Sequence, residues 1–294
     1  MRYDDQHESP DVIDRRGETY RGGGGGRGGG VGFNLLLNLV ASRFGMGGVV
    51  VLFLGYYALQ AVGGLGSVAP ASSSTGRNAP PPGTDPQRSF VAFVLDDVQA
   101  LWERKYPGPG RYKRAKLVLF SGQTSTGGCG LGAAATGPFY CPADQRAYID
   151  LSFFQTLSAR LGAPGDFARA YVIAHEIGHH VQNLQGTSSK VHRAPKSQQK
   201  GAQGLSVRLE LQADCFAGVW AHGTRQKGLL EAGDLEEAMN AAAAIGDDTL
   251  QKNAGRTVRP ESFSHGTSAQ RMRWFRRGFE TGNPASCNTF SGAI

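Results

Sequence analysis

Residues 170–184 read AYVIAHEIGHHVQNL and hold His175, Glu176 and His179. An HExxH pentad in an uncharged run leaves few folds open, because it sets two imidazoles one turn apart on one helical face. At that spacing both can reach a single zinc ion at ~2.0–2.1 Å. Glu176 follows the first histidine, so it faces the water that such an ion polarises and not the ion itself, which is the place of a general base. Gly165 and Asp166 offer a helix start and Gly186 a stop, so the spacing predicts a helix from Asp166 to Leu184. An ordinary amphipathic helix would carry these histidines on a polar surface, but here Tyr171, Val172, Ile173, Ile177 and Val181 surround them.

Zinc requires a further protein ligand. The pattern HExxHxxGxxH would place Gly at 182 and His at 185, where this chain has Gln182 and Gln185, so that class is excluded. Residues 206–222, SVRLELQADCFAGVWAH, supply an acidic alternative. Val207, Leu211, Cys215 and Val219 recur with helical spacing, and Glu210 and Asp214 lie one turn apart on one face. Glu210 suits the third ligand. Asp214 suits an outer carboxylate that holds a ligand imidazole by its free N–H. His192, His222 and Asp214 itself compete with Glu210 for the ligand role, and His180 reads as a packing or solvent-facing residue.

The 294 residues suffice for one sizeable core with additional segments, and the net charge of +7 lies entirely beyond residue 46. Spread over a long domain, that excess points to solubility; no nucleic-acid partner is expected. Residues 1–43 are polar and rich in Arg and Gly, and are expected to form a disordered tail. Residues 44–76 carry no charge, and GGVVVLFLGYYALQAVGGL at 47–65 approaches the ~20 apolar residues that span a bilayer. A transmembrane helix at 44–68 in contact with the lipid bilayer is therefore expected, followed by a flexible linker at 69–86 and a folded domain at 87–294. Arginines precede the span, and Cys129, Cys141, Cys215 and Cys287 all follow it. Together they suggest a bacterial inner-membrane protein with a cytoplasmic N-terminus and an extracytoplasmic, oxidised domain.

Within that domain, residues 87–106 have helical periodicity and 116–120, KLVLF, read as a strand. Gly- and Ser-rich residues 121–137 read as loop, and 137–141 and 147–151 as two short extended segments. Helices are expected over 153–161, 235–245 with Asp234 as cap, and 267–282. The mixture implies an α+β fold of the zincin kind, with a small sheet and two metal-binding helices. His265 stands just before the last helix. It suits either a donor to a tetrahedral oxyanion or a structural cap.

The stretches GPFYCP at 137–142, AYVIAHEIGHHVQ at 170–182, ELQADCFAGVWA at 210–221, IGDD at 245–248 and SFSHGTSAQR at 262–271 resemble the bacterial "Putative neutral zinc metallopeptidase" family. So do CNTF at 287–290, the Arg-Gly tail and the apolar segment. More distantly, HExxH with Glu210-xxx-Asp214 is similar to membrane gluzincins of the CAAX prenyl protease and HtpX type. Their late His-Pro-xxxx-Arg element is matched by His265 and Arg271, with Gly266 in place of proline. The resemblance implies one Zn²⁺ per chain on His175, His179 and Glu210, with Glu176 as general base and His265 as transition-state donor. It further implies a peptide or protein substrate. Pairing of Cys129 with Cys141 would close a glycine-rich loop, and pairing of Cys215 with Cys287 would tie the C-terminal tail to the Glu210 helix. A zinc-containing binding module without catalysis is the alternative reading. Retention of Glu176 weighs against it, since binding needs only the ligands.

Overall fold

A computed structural model describes residues 1–18, 85–108 and 110–294. A four-stranded sheet has the order β1–β2–β6–β5, built from β1 (Val12–Asp14), β2 (Lys116–Phe120), β5 (Phe139–Cys141) and β6 (Arg146–Asp150). β1 and β6 both run parallel to β2, and β5 returns antiparallel to β6, with Cys141 opposite Arg146. The Gly- and Ser-rich segment contains a small antiparallel hairpin, β3 (Gln123–Ser125) and β4 (Leu131–Ala133).

The remainder is helical: α1 (Pro86–Lys105), α2 (Ser152–Ala159), α3 (Asp166–Leu184), α4 (Thr187–Arg193) and α5 (Lys196–Gln199) come first. They are followed by α6 (Leu205–Gln226), α7 (Asp234–Ala244), α8 (Asp247–Asn253) and α9 (Ser268–Thr281). The chain is thus mostly helical with a small mixed sheet, which corrects the α+β zincin expectation. The strands run to five residues at most, while α3 and α6 extend over 19 and 22.

Small residues let the long helices approach. A Cβ at Gly178 would lie 3.1 Å from the Ala213 backbone, which fixes the crossing of α3 and α6. One at Gly218 would stand 2.0 Å from the Phe275 carbonyl oxygen, and one at Gly278 2.0 Å from that of Cys215, so α6 and α9 touch backbone to backbone. Cys215 in this contact is bonded to Cys287, and Cys129 to Cys141, which are the expected pairings.

The N-terminal expectation needs correction. Residues 1–18 are folded onto the domain. Asp11 accepts from Arg114 Nε at 2.5 Å, Lys116 Nζ at 2.6 Å and Gln99 Nε2 at 3.2 Å, and Arg15 N–H donates to the Leu119 carbonyl. Met1 is buried, with its amine on Asp166 and Asp234. Local composition hides this because the partners lie 88 residues or more away.

The expected span at 44–68 and most of the expected linker lie outside the described residues. None of the helices among the described residues is long and apolar enough to cross a membrane. The sheet also overturns the single-pass topology. Val12–Asp14 pair with Leu117–Leu119, so chain on both sides of 44–68 lies in one sheet, which a single crossing does not allow. The expected inner-membrane localisation, with the N-terminus and the domain on opposite faces of a bilayer, is corrected accordingly.

Candidate metal centre

α3 starts at Asp166 and ends before Gly186, whose φ of 74° stops it as the sequence implies. Its inner face carries His175, Glu176 and His179, and α6 crosses it with Glu210 and Asp214. Ligand-type atoms of His175, His179 and Glu210 all lie within 4.8 Å of one another. Glu210 Oε2 is 3.2 Å from His175 Nε2, and Glu210 Oε1 is 3.5 Å from His179 Nε2.

The opposite ring nitrogens are both held. His175 Nδ1 donates to Asp214 Oδ1 at 2.8 Å. Asp214 is fully buried and also accepts from Tyr171 Oη at 2.5 Å and from Arg271 Nε and Nη2, each at 2.9 Å. His179 Nδ1 donates to Gln182 Oε1 at 2.9 Å. The Gln182 amide orientation follows from its surroundings, because its Nε2 donates to the Leu209 carbonyl at 2.6 Å and to Gln212 Oε1 at 3.1 Å. Gln212 in turn donates to the Cys287 carbonyl. Each imidazole therefore carries a proton on Nδ1, with Nε2 turned to Glu210.

Burial disfavours charge on His175, but Asp214 and Glu210 outweigh it and raise its pKa to about 10. Burial likewise opposes ionisation of Glu210, and His179 and His175 overcome it, so its pKa falls well below the ordinary value. Two imidazoles and a carboxylate locked in this way are a donor set that a divalent cation satisfies. Glu176 adds an independent sign. It is buried, its pKa is raised chiefly by that burial, and its Oε2 has no hydrogen-bond partner. The residues fit zinc.

His265 enters from the segment before α9. Its Nδ1 is 3.1 Å from Asp247 Oδ1, while Asp247 Oδ2 accepts from the backbone N–H groups of Ser264, His265 and Gly266 at 2.7, 2.7 and 3.0 Å. The charges of His265 and Glu210 act on one another. The competing ligands lie elsewhere: His192 faces the Ser188 carbonyl and His222 that of Phe279. His180 is buried, accepts from or donates to Tyr140 Oη at 2.9 Å, and donates from Nε2 to the Lys113 carbonyl. A second group, Asp166, Asp234 and Glu237, is engaged by the Met1 amine and by the Phe167 and Glu231 N–H groups.

Sequence reasoning missed Gln182, Asp247 and Tyr171. Gln182 stands three residues after His179, a spacing that brings side chains together on a helix, so it was findable. Asp247 was not, since no local pattern ties it to His265.

The fold and these side chains define a mostly helical protein with an HExxH centre whose donor set fits a metal ion. The chain belongs to the family described as "Putative neutral zinc metallopeptidase", whose model matches residues 1–290. It is 47% identical over 300 aligned positions to "Uncharacterized protein YpfJ" of Escherichia coli (strain K12), covering all of both chains. It is 43% identical over 225 positions to "Uncharacterized protein Rv2575" of Mycobacterium tuberculosis (strain ATCC 25618 / H37Rv), covering 72% of this chain and 74% of that one. No solved structure matches.

Proposed function

We propose that this chain is a zinc-dependent peptidase, with His175, His179 and Glu210 holding one Zn²⁺, Glu176 as general base and His265 as oxyanion donor. The observation that carries the reading is the orphaned, buried Glu176 Oε2 beside three convergent ligand atoms. A purely binding site needs those ligands and has no use for a desolvated carboxylate next to them.

A zinc ion bound there supplies Lewis acidity toward water and a peptide carbonyl. Glu176 removes a proton from the attacking water at its free carboxylate oxygen and delivers it to the departing amine. Burial, which lifts its pKa, makes both transfers accessible to one group. His265, oriented by Asp247, donates to the oxyanion. Asp214 and Gln182 keep the ligand nitrogens available and the rings in place.

Glu176→Gln keeps size and polarity but accepts no proton. It is expected to retain one zinc per chain by metal analysis while peptide hydrolysis falls at least ~100-fold. Equal cleavage of a broad peptide library by wild type and variant would reject the peptidase reading in favour of a binding module.

A further inference from the structure

Two segments that adjoin the helices of the metal centre form a cationic rim. Residues 187–204, which join α3 to α6, carry Lys190, Arg193, Lys196 and Lys200 and no acid. Residues 252–262, leading to His265, carry Lys252, Arg256 and Arg259 against Glu261 alone. The two segments are stitched together where Gly201 N–H donates to the Phe263 carbonyl at 2.9 Å, two residues before His265. Together the two segments carry a net charge of +6.

All seven cations are exposed, and among the described residues none is paired with a carboxylate. Other cations do find carboxylates: Arg114 meets Asp11 and Asp96, Arg16 meets Asp14 and Asp85, and Lys227 meets Asp97. Seven exposed cations with a single acid among them hold a local positive field there.

That field lies at the centre's edge. His179 is five residues before the end of α3 and Glu210 five after the start of α6, each ~7.5 Å along its axis from the cationic segment. A polypeptide crossing the centre on this side meets the rim within a few residues of the bond presented to Glu176.

We infer that this rim selects substrates, and that the polypeptides acted on at this centre are acidic next to the cleaved bond. The inference rests on the peptidase reading for its substrate language, and the charge preference is measurable without turnover. Like charges on the rim repel basic sequences, so selection works by exclusion as well as attraction.

The test uses the zinc-loaded full chain and two peptide series of one sequence, with Asp and Glu in the first replaced by Asn and Gln in the second. Binding is read by fluorescence anisotropy with Glu176→Gln, and hydrolysis with wild type. The expected result is about tenfold tighter binding and higher kcat/KM for the acidic series at low salt, largely lost at 0.5 M salt. Lys196→Glu/Lys200→Glu/Arg259→Glu should abolish the preference while neutral-series binding and zinc content stay unchanged. Equal binding of both series, or a preference that survives charge reversal, overturns the inference. So does rim-dependent capture by anionic phospholipid vesicles without selection among peptides. Failure of hydrolysis with acidic binding intact would instead reject the peptidase reading and leave the rim as an acidic-polypeptide site.

Discussion

Arg271 gives the sharpest test of how the centre is held. It is 1% exposed, beside a fully buried Asp214. Asp214 accepts four hydrogen bonds: two from Arg271, one from Tyr171 and one from His175. Burial opposes its ionisation, and Arg271 is the foremost opposing influence that keeps its pKa low. Arg271→Met keeps much of the apolar stem but leaves a desolvated anion with half of its donors. Breaking a buried pair on one side costs ~3–5 kcal/mol. For a domain of this size that lowers Tm by about 10 °C. Arg271→Met/Asp214→Asn removes the stranded charge as well, so the double variant should recover about 2 kcal/mol relative to the sum of the singles. Thermal and urea unfolding of all four proteins, each with chelated metal, closes the cycle. Additive losses, or an Arg271→Met protein that melts with wild type, would refute the view that the guanidinium neutralises Asp214.

Gln182→Ala frees His179 Nδ1 and should weaken zinc affinity about tenfold by competition with a chelating dye, without changing stoichiometry. Asp247→Asn tests the orientation of His265. Burial lowers the pKa of this histidine, but Asp247 outweighs it and the net shift is upward, while the Asp247 pKa is shifted downward by His265 against its own burial. The His265 contribution to stability is therefore present below pH 6.5 and lost as pH rises through its raised folded value. That of Asp247 is present above pH 3.8 and lost as pH falls through its lowered folded value. Their joint contribution peaks between those limits; Asp247→Asn should flatten the stability profile there and move the alkaline limb of kcat to lower pH. With the His265 side chain 43% exposed, solvent screening keeps the stability effect small. The disulfides should rank by loop length: Cys215–Cys287 encloses 72 residues and Cys129–Cys141 encloses 12, for ~4 and ~3 kcal/mol in a chain-entropy account. Chemical denaturation of Cys215→Ala/Cys287→Ala and Cys129→Ala/Cys141→Ala checks the order, and the reverse order would reject that account.

The parts of this molecule that a single sequence made legible are those with a local cause. The long helix bearing His175 and His179 was readable to its ends because an apolar face, a first-turn acid and Gly186 act within one continuous stretch. Strand β2 was equally plain, since Leu117 to Phe120 form an unbroken apolar run. The short elements were not. β3 and β4 are three residues each in a glycine-rich segment, and α4, α5 and α8 lie in polar sequence whose periodicity is too brief to register. Glu210 and Asp214 were found through their spacing, whereas Asp247 acts on His265 across 18 residues of chain and leaves no periodic trace.

The N-terminal segment shows where composition misleads. Residues 22–30 are glycine-rich, and reading the whole of 1–43 by that composition overlooked the charge pattern of residues 1–18. Those residues carry six acids and three arginines, which a local reading treats as solvating. The domain supplies cations at matching places: Arg114 and Lys116 for Asp11, and Arg88 for Glu8. Apolar contact adds to this, since Met1 is buried and Tyr3 lies edge-on to Phe90 at 5.1 Å. Val12–Asp14 thereby enter the sheet beside β2, and Ser9 and Asp11 hydrogen-bond to Asp96 and Gln99 of α1. The expected single crossing fails on this geometric ground, independently of how apolar residues 47–65 are.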